Sequence, residues 1–186
     1  MRSRRMLLFI SFLFTTLLVC PSAAQSAMPA YMSIEGQNQG RIEGSCTIEG
    51  REGMIVVYSF GHNIRVPYDQ QTRLITGRRA HAPFELLKEV DKSSPLLYRA
   101  MINNERLSNV RIKFYRIGPT HLEEHYFTIT LINANIVKIA PSATSFPKEA
   151  EGLKPMEILS FTYERIQWCW EPGQITSEDE WRESGI

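Results

Sequence analysis

Val110-Arg111-Ile112-Lys113-Phe114 puts three apolar side chains on one face and two cations on the other. That period of two marks a half-buried strand, because successive side chains on extended backbone point to opposite faces. Phe127-Thr128-Ile129-Thr130-Leu131 repeats it, with β-branched threonine on the outer face, where it suits a pleated strand. Leu159-Ser160-Phe161-Thr162-Tyr163 alternates again, and the segment continues to Trp170. Met54 to Phe60 is a nearly continuous apolar run and reads as a more deeply buried strand. Phe84 to Val90 is a further strand candidate.

One short helix stands among these strands. Ser94 is placed to cap it, Pro95 suits its first position, and Leu96, Leu97, Ala100 and Met101 share a face. Asn103-Asn104 is a suitable stop, since asparagine tolerates the left-handed conformation. A single helix cannot form a second layer. The expectation is a mainly β fold: a compact β-barrel of antiparallel strands with one short flanking α-helix. Pro67 to Ala82 and Ala140 to Pro155 read as long polar loops, exceeding the usual connection of about 4–6 residues. On a rigid barrel such loops often contact a partner, although tolerated insertions look the same in sequence.

The chain has 186 residues, 43% hydrophobic and 22% charged, which argues for a folded domain and against disorder. Residues 1–27 hold Arg2, Arg4 and Arg5 and no acid, leaving 18 basic against 20 acidic residues beyond them. A near-neutral domain carries no electrostatic sign of nucleic-acid binding. Met6 to Val19 is an uncharged apolar run too short for an ordinary membrane span, followed by Pro21, Ser22, Ala23 and Ala24. Residues 1–27 therefore read as an export signal cleaved after Ala24 or Ser26, or else as sequence upstream of a true start at Met28. A lipid anchor at Cys20 is disfavoured by the bulky Val19 before it. Residues 28–186 read as one domain, with no internal repeat or linker. Cys46 and Cys169 are expected as buried free thiols, with a single disulfide as the alternative.

Catalytic chemistry finds little support. His121-Leu122-Glu123-Glu124-His125 matches a metallopeptidase pattern that works only on a helix. Gly118-Pro119-Thr120 reads as a turn before it, and an alternating strand follows at Tyr126. On extended backbone, histidines four apart stand roughly 13 Å from each other, too far to share one zinc. His62 and His81 look isolated, each a satisfied surface or edge histidine. Glu178-Asp179-Glu180 reads as a solvated acidic tail. Trp168, Trp170 and Trp181 read as core and edge packing rather than ligand stacking. No cofactor, metal site or catalytic residue is expected.

Eight segments in order resemble haemolysin-coregulated proteins. They are Met28 to Gly36, Arg78 to Phe84, Asp91 to Tyr98, Glu105 to Leu107, Lys113 to Arg116, Glu124 to Leu131, Ser160 to Tyr163, and Asp179 to Arg182. The likeness covers essentially all of residues 28–182. It implies a barrel with a flanking helix, assembled as a homo-hexameric ring. The rings stack into the inner tube of type VI secretion, with a tip spike protein and a sheath as partners. The tube is exported and its lumen holds small effector proteins. Tyr58-Ser59-Phe60 resembles a strand whose serine faces the lumen, which makes Ser59 the candidate for effector contact. An ordinary polar strand position is the alternative for Ser59.

Two features depart from the family. Its members generally leave without a cleavable signal, so the leader implies either a start at Met28 and cytoplasmic assembly or a periplasmic route. The composition of Ala140 to Pro155 also differs from the corresponding family loop. Some family members carry a toxin domain after the barrel. Only a few residues follow Trp181 here, so no enzyme is expected. An exported monomeric binding module with the same barrel stands as the alternative to a tube subunit.

Overall fold

Period-two patterning becomes strand throughout the computed structural model, which describes residues 29–142 and 154–181. In chain order the strands are β1 (Ala30–Gly36), β2 (Gly40–Ile42), β3 (Ile55–Gly61), β4 (Ile64–Arg65), β5 (Ala80–His81) and β6 (Phe84–Glu89). Helix α1 (Ser94–Ile102) comes next, then β7 (Leu107–Ile117), β8 (Glu123–Ser142), β9 (Met156–Thr162), β10 (Arg165–Trp170) and β11 (Ile175–Glu180). The main sheet runs β8-β7-β1-β3-β6-β9, and β9 pairs back with β8, closing an antiparallel barrel of six strands. The expected barrel with one flanking helix is therefore what the chain builds.

β8 makes the closure possible. Its first part pairs with β7 and β10, and its second part, from Asn135 onward, pairs with β9. Between the two, Asn133 adopts a left-handed backbone (φ 52°) and donates from its side chain to Glu164 at 2.7 Å. Asparagine tolerates that conformation better than a β-branched residue would. The bend lets one 20-residue strand serve the barrel and a projecting β10–β11 ribbon. The segment expected to run from Leu159 to Trp170 is accordingly split, because β9 and β10 pair with different halves of β8.

The core follows the alternation. Val110, Ile112 and Phe114 of β7 and Ile129 and Leu131 of β8 point into the barrel and are buried. Arg111 and Lys113 point away from it. Helix α1 packs against β8, with Leu97 and Ala100 fully buried and Leu96 and Met101 partly so. Burying a leucine side chain contributes about 1.5–3 kcal/mol. The helix stops at Asn103, and Asn104 takes the left-handed conformation (φ 49°), as the Asn-Asn pair implied.

Several expectations need correction. Ser94 is not the cap: the helix is capped at Ser93, without a side-chain bond from that residue to the first turn. Asp91 organises the turn instead, accepting from the Ser93 amide at 3.0 Å. Ser94 turns inward and donates to Glu157 at 2.7 Å. β3 is deeply buried only at Ile55 and Val57, and from Tyr58 onward its side chains are exposed. Pro67 to Ala82 is not featureless, because β5 pairs with β4 and Tyr68 bridges Ile75. Of Ala140 to Pro155, residues up to Ser142 belong to β8, and the central part lies outside the described residues, as does the leader 1–27. Glu178-Asp179-Glu180 is no tail; it is the end of β11, paired with β10.

Candidate functional site

β3, β6, β9 and the second half of β8 present a strip of outward-facing side chains. Ser59 stands opposite Leu87, Leu87 opposite Ile158, and Ile158 opposite Ala140. The next row along is Gly61, Glu85, Ser160 and Lys138. A β-bulge between Val57 and Ser59 shifts the alternation, so Ser59 faces outward beside the exposed Tyr58, while Phe60, although 47% exposed, stands opposite the buried Leu86 and packs on Phe84 and Phe114. Beside them an open groove of about 300 Å³ is lined by Ser59, Phe60, Gly61, Leu87 and Ile158 among others. The centre of the strip is neutral. Charges sit around it in pairs: Ser160 donates to Glu85 at 2.9 Å, Lys138 approaches Glu85 at 3.5 Å, and Lys154 pairs with Glu89 at 2.8 Å. Tyr58 donates to Glu89 at 3.1 Å; burial, followed by that contact, raises its phenol above the usual range. Among the described residues, no histidine or carboxylate is hydrogen-bonded to the Ser59 hydroxyl, and its groove neighbours include Phe60, Leu87 and Ile158. The arrangement suits reversible contact with another protein surface.

The remaining sequence candidates do not converge. His121 lies in the β7–β8 turn with a left-handed backbone (φ 58°), and the strand begins at Glu123, as the turn-and-strand reading required. His125 lies on β8, 2.9 Å from the Thr128 hydroxyl, which also donates to Glu171. Cys46 is buried, Cys169 is only half-buried, and both are free thiols, so the expectation of two buried thiols holds for Cys46 alone. Trp168 and Trp181 pack against the core, and Trp170 meets the edge of Tyr126 with ring centroids 5.6 Å apart.

His62 and His81 are not isolated. Both reach the hydroxyl of Tyr163, at 2.7 and 2.8 Å, and His81 also contacts Asp179 at 3.1 Å. Arg79 grips the same carboxylate through two nitrogens. These partners lie about a hundred positions apart in the chain, so no local pattern could have joined them. A second unforeseen group is Lys88, wholly buried and bonded to Glu157 at 2.7 Å and Asp91 at 3.0 Å. Its inward position was readable from the alternation Phe84, Leu86, Lys88, which places a cation where a core residue belongs.

Exposed apolar side chains gather at opposite ends of the β10–β11 ribbon. One end, where Arg165 pairs with Glu180, meets the β4–β5 hairpin through Asp179. That hairpin exposes Val66, Tyr68, Leu74 and Ile75. The other end, where Trp170 pairs with Ile175, lies beside the β7–β8 turn through Arg116, whose guanidinium sits 4.9 Å from the Trp170 ring centre. Ile117, Leu122 and Ile175 are exposed there. The two patches differ in composition and in backbone.

Comparison with known proteins agrees with the geometry. The family model described as type VI secretion system effector, Hcp, matches residues 31–170. The chain is 36% identical over 166 residues to the Major exported protein of Pseudomonas aeruginosa, covering 84% of this chain and 96% of that protein. A mutant of the Hcp1 protein from E. coli EAEC 042 pathovar superposes with a TM-score of 0.75 at 33% identity, covering 84% of this chain and 100% of that one. The secreted protein Hcp3 from Pseudomonas aeruginosa gives 0.69 at 33% identity, again over 84% and 100%. With a six-stranded antiparallel barrel, one flanking helix and a match that runs from β1 to β10, this chain belongs to the Hcp family of type VI secretion effectors.

Proposed function

We propose that residues 28–186 form one barrel domain that serves as a non-catalytic structural subunit of the type VI secretion inner tube. Six copies close into a ring, rings stack, and the tube is exported with small effector proteins in its lumen. A tip spike protein and a sheath are its partners in the machine. The subunit assembles in the cytoplasm if Met28 is the true start, and reaches the periplasm if the leader acts.

The observation that carries this reading is the pair of unlike apolar patches at opposite ends of the β10–β11 ribbon. A head-to-tail assembly needs two different complementary surfaces on each subunit, and contiguous exposed apolar groups mark contact sites. The neutral strip around Ser59 supplies a surface for cargo, with the exposed Tyr58 beside it as an amphipathic contact.

Ser59→Glu tests the cargo surface. The side chain is exposed, so the variant folds and forms rings. A charge without a partner at the contact weakens retention of the affected effector by at least about tenfold. Co-purification of ring and effector measures this, and unchanged co-purification with every candidate cargo removes Ser59 from the lumen role. The mass of the assembled particle tests the ring itself.

A further inference from the structure

The β4–β5 hairpin runs on from barrel strands β3 and β6 at its base, and side chains fix how it lies against the rest of the barrel. Its strands form a sheet of their own. Its backbone bonds close on themselves: Ala82 donates to the Asn63 carbonyl at 2.9 Å, and Thr76 to that of Pro67 at 3.0 Å. The fastening is Tyr163, at the corner between β9 and β10, whose single hydroxyl meets His62 Nε2 at 2.7 Å and His81 Nδ1 at 2.8 Å. His81 Nε2 continues the chain to Asp179 of β11 at 3.1 Å, and Arg79 anchors that carboxylate. Trp181 stacks on His81, while Phe84 and Trp168 face His62. The His81 side chain is only 3% exposed, so water is poorly placed to replace a lost partner.

The donors and acceptors permit two complete arrangements. Desolvation alone would push the Asp179 carboxyl up, but the Arg79 hydrogen bond and charge outweigh it and hold it low. An ionised carboxylate only accepts, so His81 Nε2 donates. With His81 neutral, its Nδ1 carries a lone pair: Tyr163 donates to it and accepts from the Nε2–H of His62. With hydrogen on both ring nitrogens of His81, Nδ1–H donates to the Tyr163 oxygen instead. Tyr163 then turns its O–H toward His62 Nε2, whose proton leaves to solvent while another is taken up at Nδ1. Every contact survives.

A second added proton has no such outlet. It restores the Nε2–H of His62, so both rings donate to one phenol oxygen and the Tyr163 proton loses its acceptor. Two cations then face each other with ring centroids 6.4 Å apart. Burial, then the charge of His81, holds His62 below the usual histidine range. Burial, then Asp179, pushes the Tyr163 phenol up, so it stays protonated throughout. The other charges nearby are Glu180, beside Arg79, and Arg165, 3.6 Å from Glu180.

We propose that His62, Tyr163, His81 and Asp179 form a proton-operated latch, which absorbs one proton with its bonds intact and releases the β4–β5 hairpin on the second. The sign follows from His62, lowered in the fold: the latch contributes fully while His62 is neutral. Its contribution is lost as pH falls below the ordinary histidine range. Release frees the patch of Val66, Tyr68, Leu74 and Ile75 from its fixed position. The latch operates within one subunit and stands whether or not rings form.

Hydrogen exchange read by mass spectrometry on the full chain, corrected for intrinsic pH dependence, follows the hairpin directly. From about pH 7.5 to about pH 5, exchange across residues 62–82 should accelerate by at least about tenfold relative to β7. His62→Gln keeps an amide donor for Tyr163 and cannot take the second proton, so its hairpin should stay protected in acid. The chain has four histidines, so selective ¹⁵N labelling also resolves the tautomers in the unaltered protein. His62 should carry Nε2–H when His81 Nδ1 is bare, and Nδ1–H when both His81 nitrogens carry hydrogen. Equal hairpin protection at both pH values, acid loss shared by β7, or a His62 tautomer that ignores His81 overturns the latch. So does acid loss undiminished in His62→Gln.

Discussion

Lys88→Met lowers the melting temperature by roughly 6–20 °C at fixed protein concentration. That range corresponds to about 3–5 kcal/mol, the cost of leaving one member of a buried ion pair unpartnered, in a chain of this size. Lys88 and Glu157 are direct cross-strand neighbours on β6 and β9, both facing inward, with side chains 0% and 1% exposed. Lys88 also reaches the Glu89 carbonyl at 2.6 Å and the Ser94 hydroxyl at 3.1 Å, so the pair ties the barrel wall to the start of α1. Removing the cation leaves the Glu157 carboxylate with the Ser94 hydroxyl alone. The double variant Lys88→Met with Glu157→Leu recovers most of the loss, because it removes both charges and fills the space with apolar atoms. A single variant that melts with the unaltered protein would show that Lys88 reaches solvent.

Leu97→Asp has a larger effect still. Leu97 is wholly buried on α1, whose buried face rests on β8. Deleting a buried leucine to alanine costs about 2–5 kcal/mol through lost transfer energy and the cavity left behind. Aspartate adds a charge with no cation placed to receive it, which costs several kcal/mol more. The expected outcome is an insoluble or unfolded chain at 37 °C, with Leu97→Ala soluble but markedly less stable. Ile102→Asp, on the same helix but 76% exposed, should change stability by no more than about 0.5 kcal/mol. Equal melting of the Leu97 and Ile102 variants would show that the helix presents a different face.

The strands were legible because one face of each is buried, which writes a period of two into the sequence. β7 is the clearest instance, since Val110, Ile112 and Phe114 all enter the core. Helical spacing of the apolar residues likewise revealed α1 and places Leu97 and Ala100 inward. What could not be read was pairing over long sequence distances. Tyr163 meets His62 and His81 from 101 and 82 positions away, and Asp179 meets His81 from 98. A residue type alone does not reveal a partner that only closure of the barrel brings near. β11 escaped for a related reason. Ile175 to Glu180 has no buried face to impose alternation, so its acidic residues looked like a tail. They form a strand only because β10 offers an edge. Ser59 was singled out by resemblance, and the structure explains its exposure: the bulge after Val57 breaks the inward pattern of β3.

Ring formation is the central claim, and particle mass tests it most directly. Light scattering on size-fractionated protein beginning at Met28 should give a six-subunit particle that persists on dilution. A clean monomer across a wide concentration range would contradict the tube subunit and leave an exported binding module built on the same barrel.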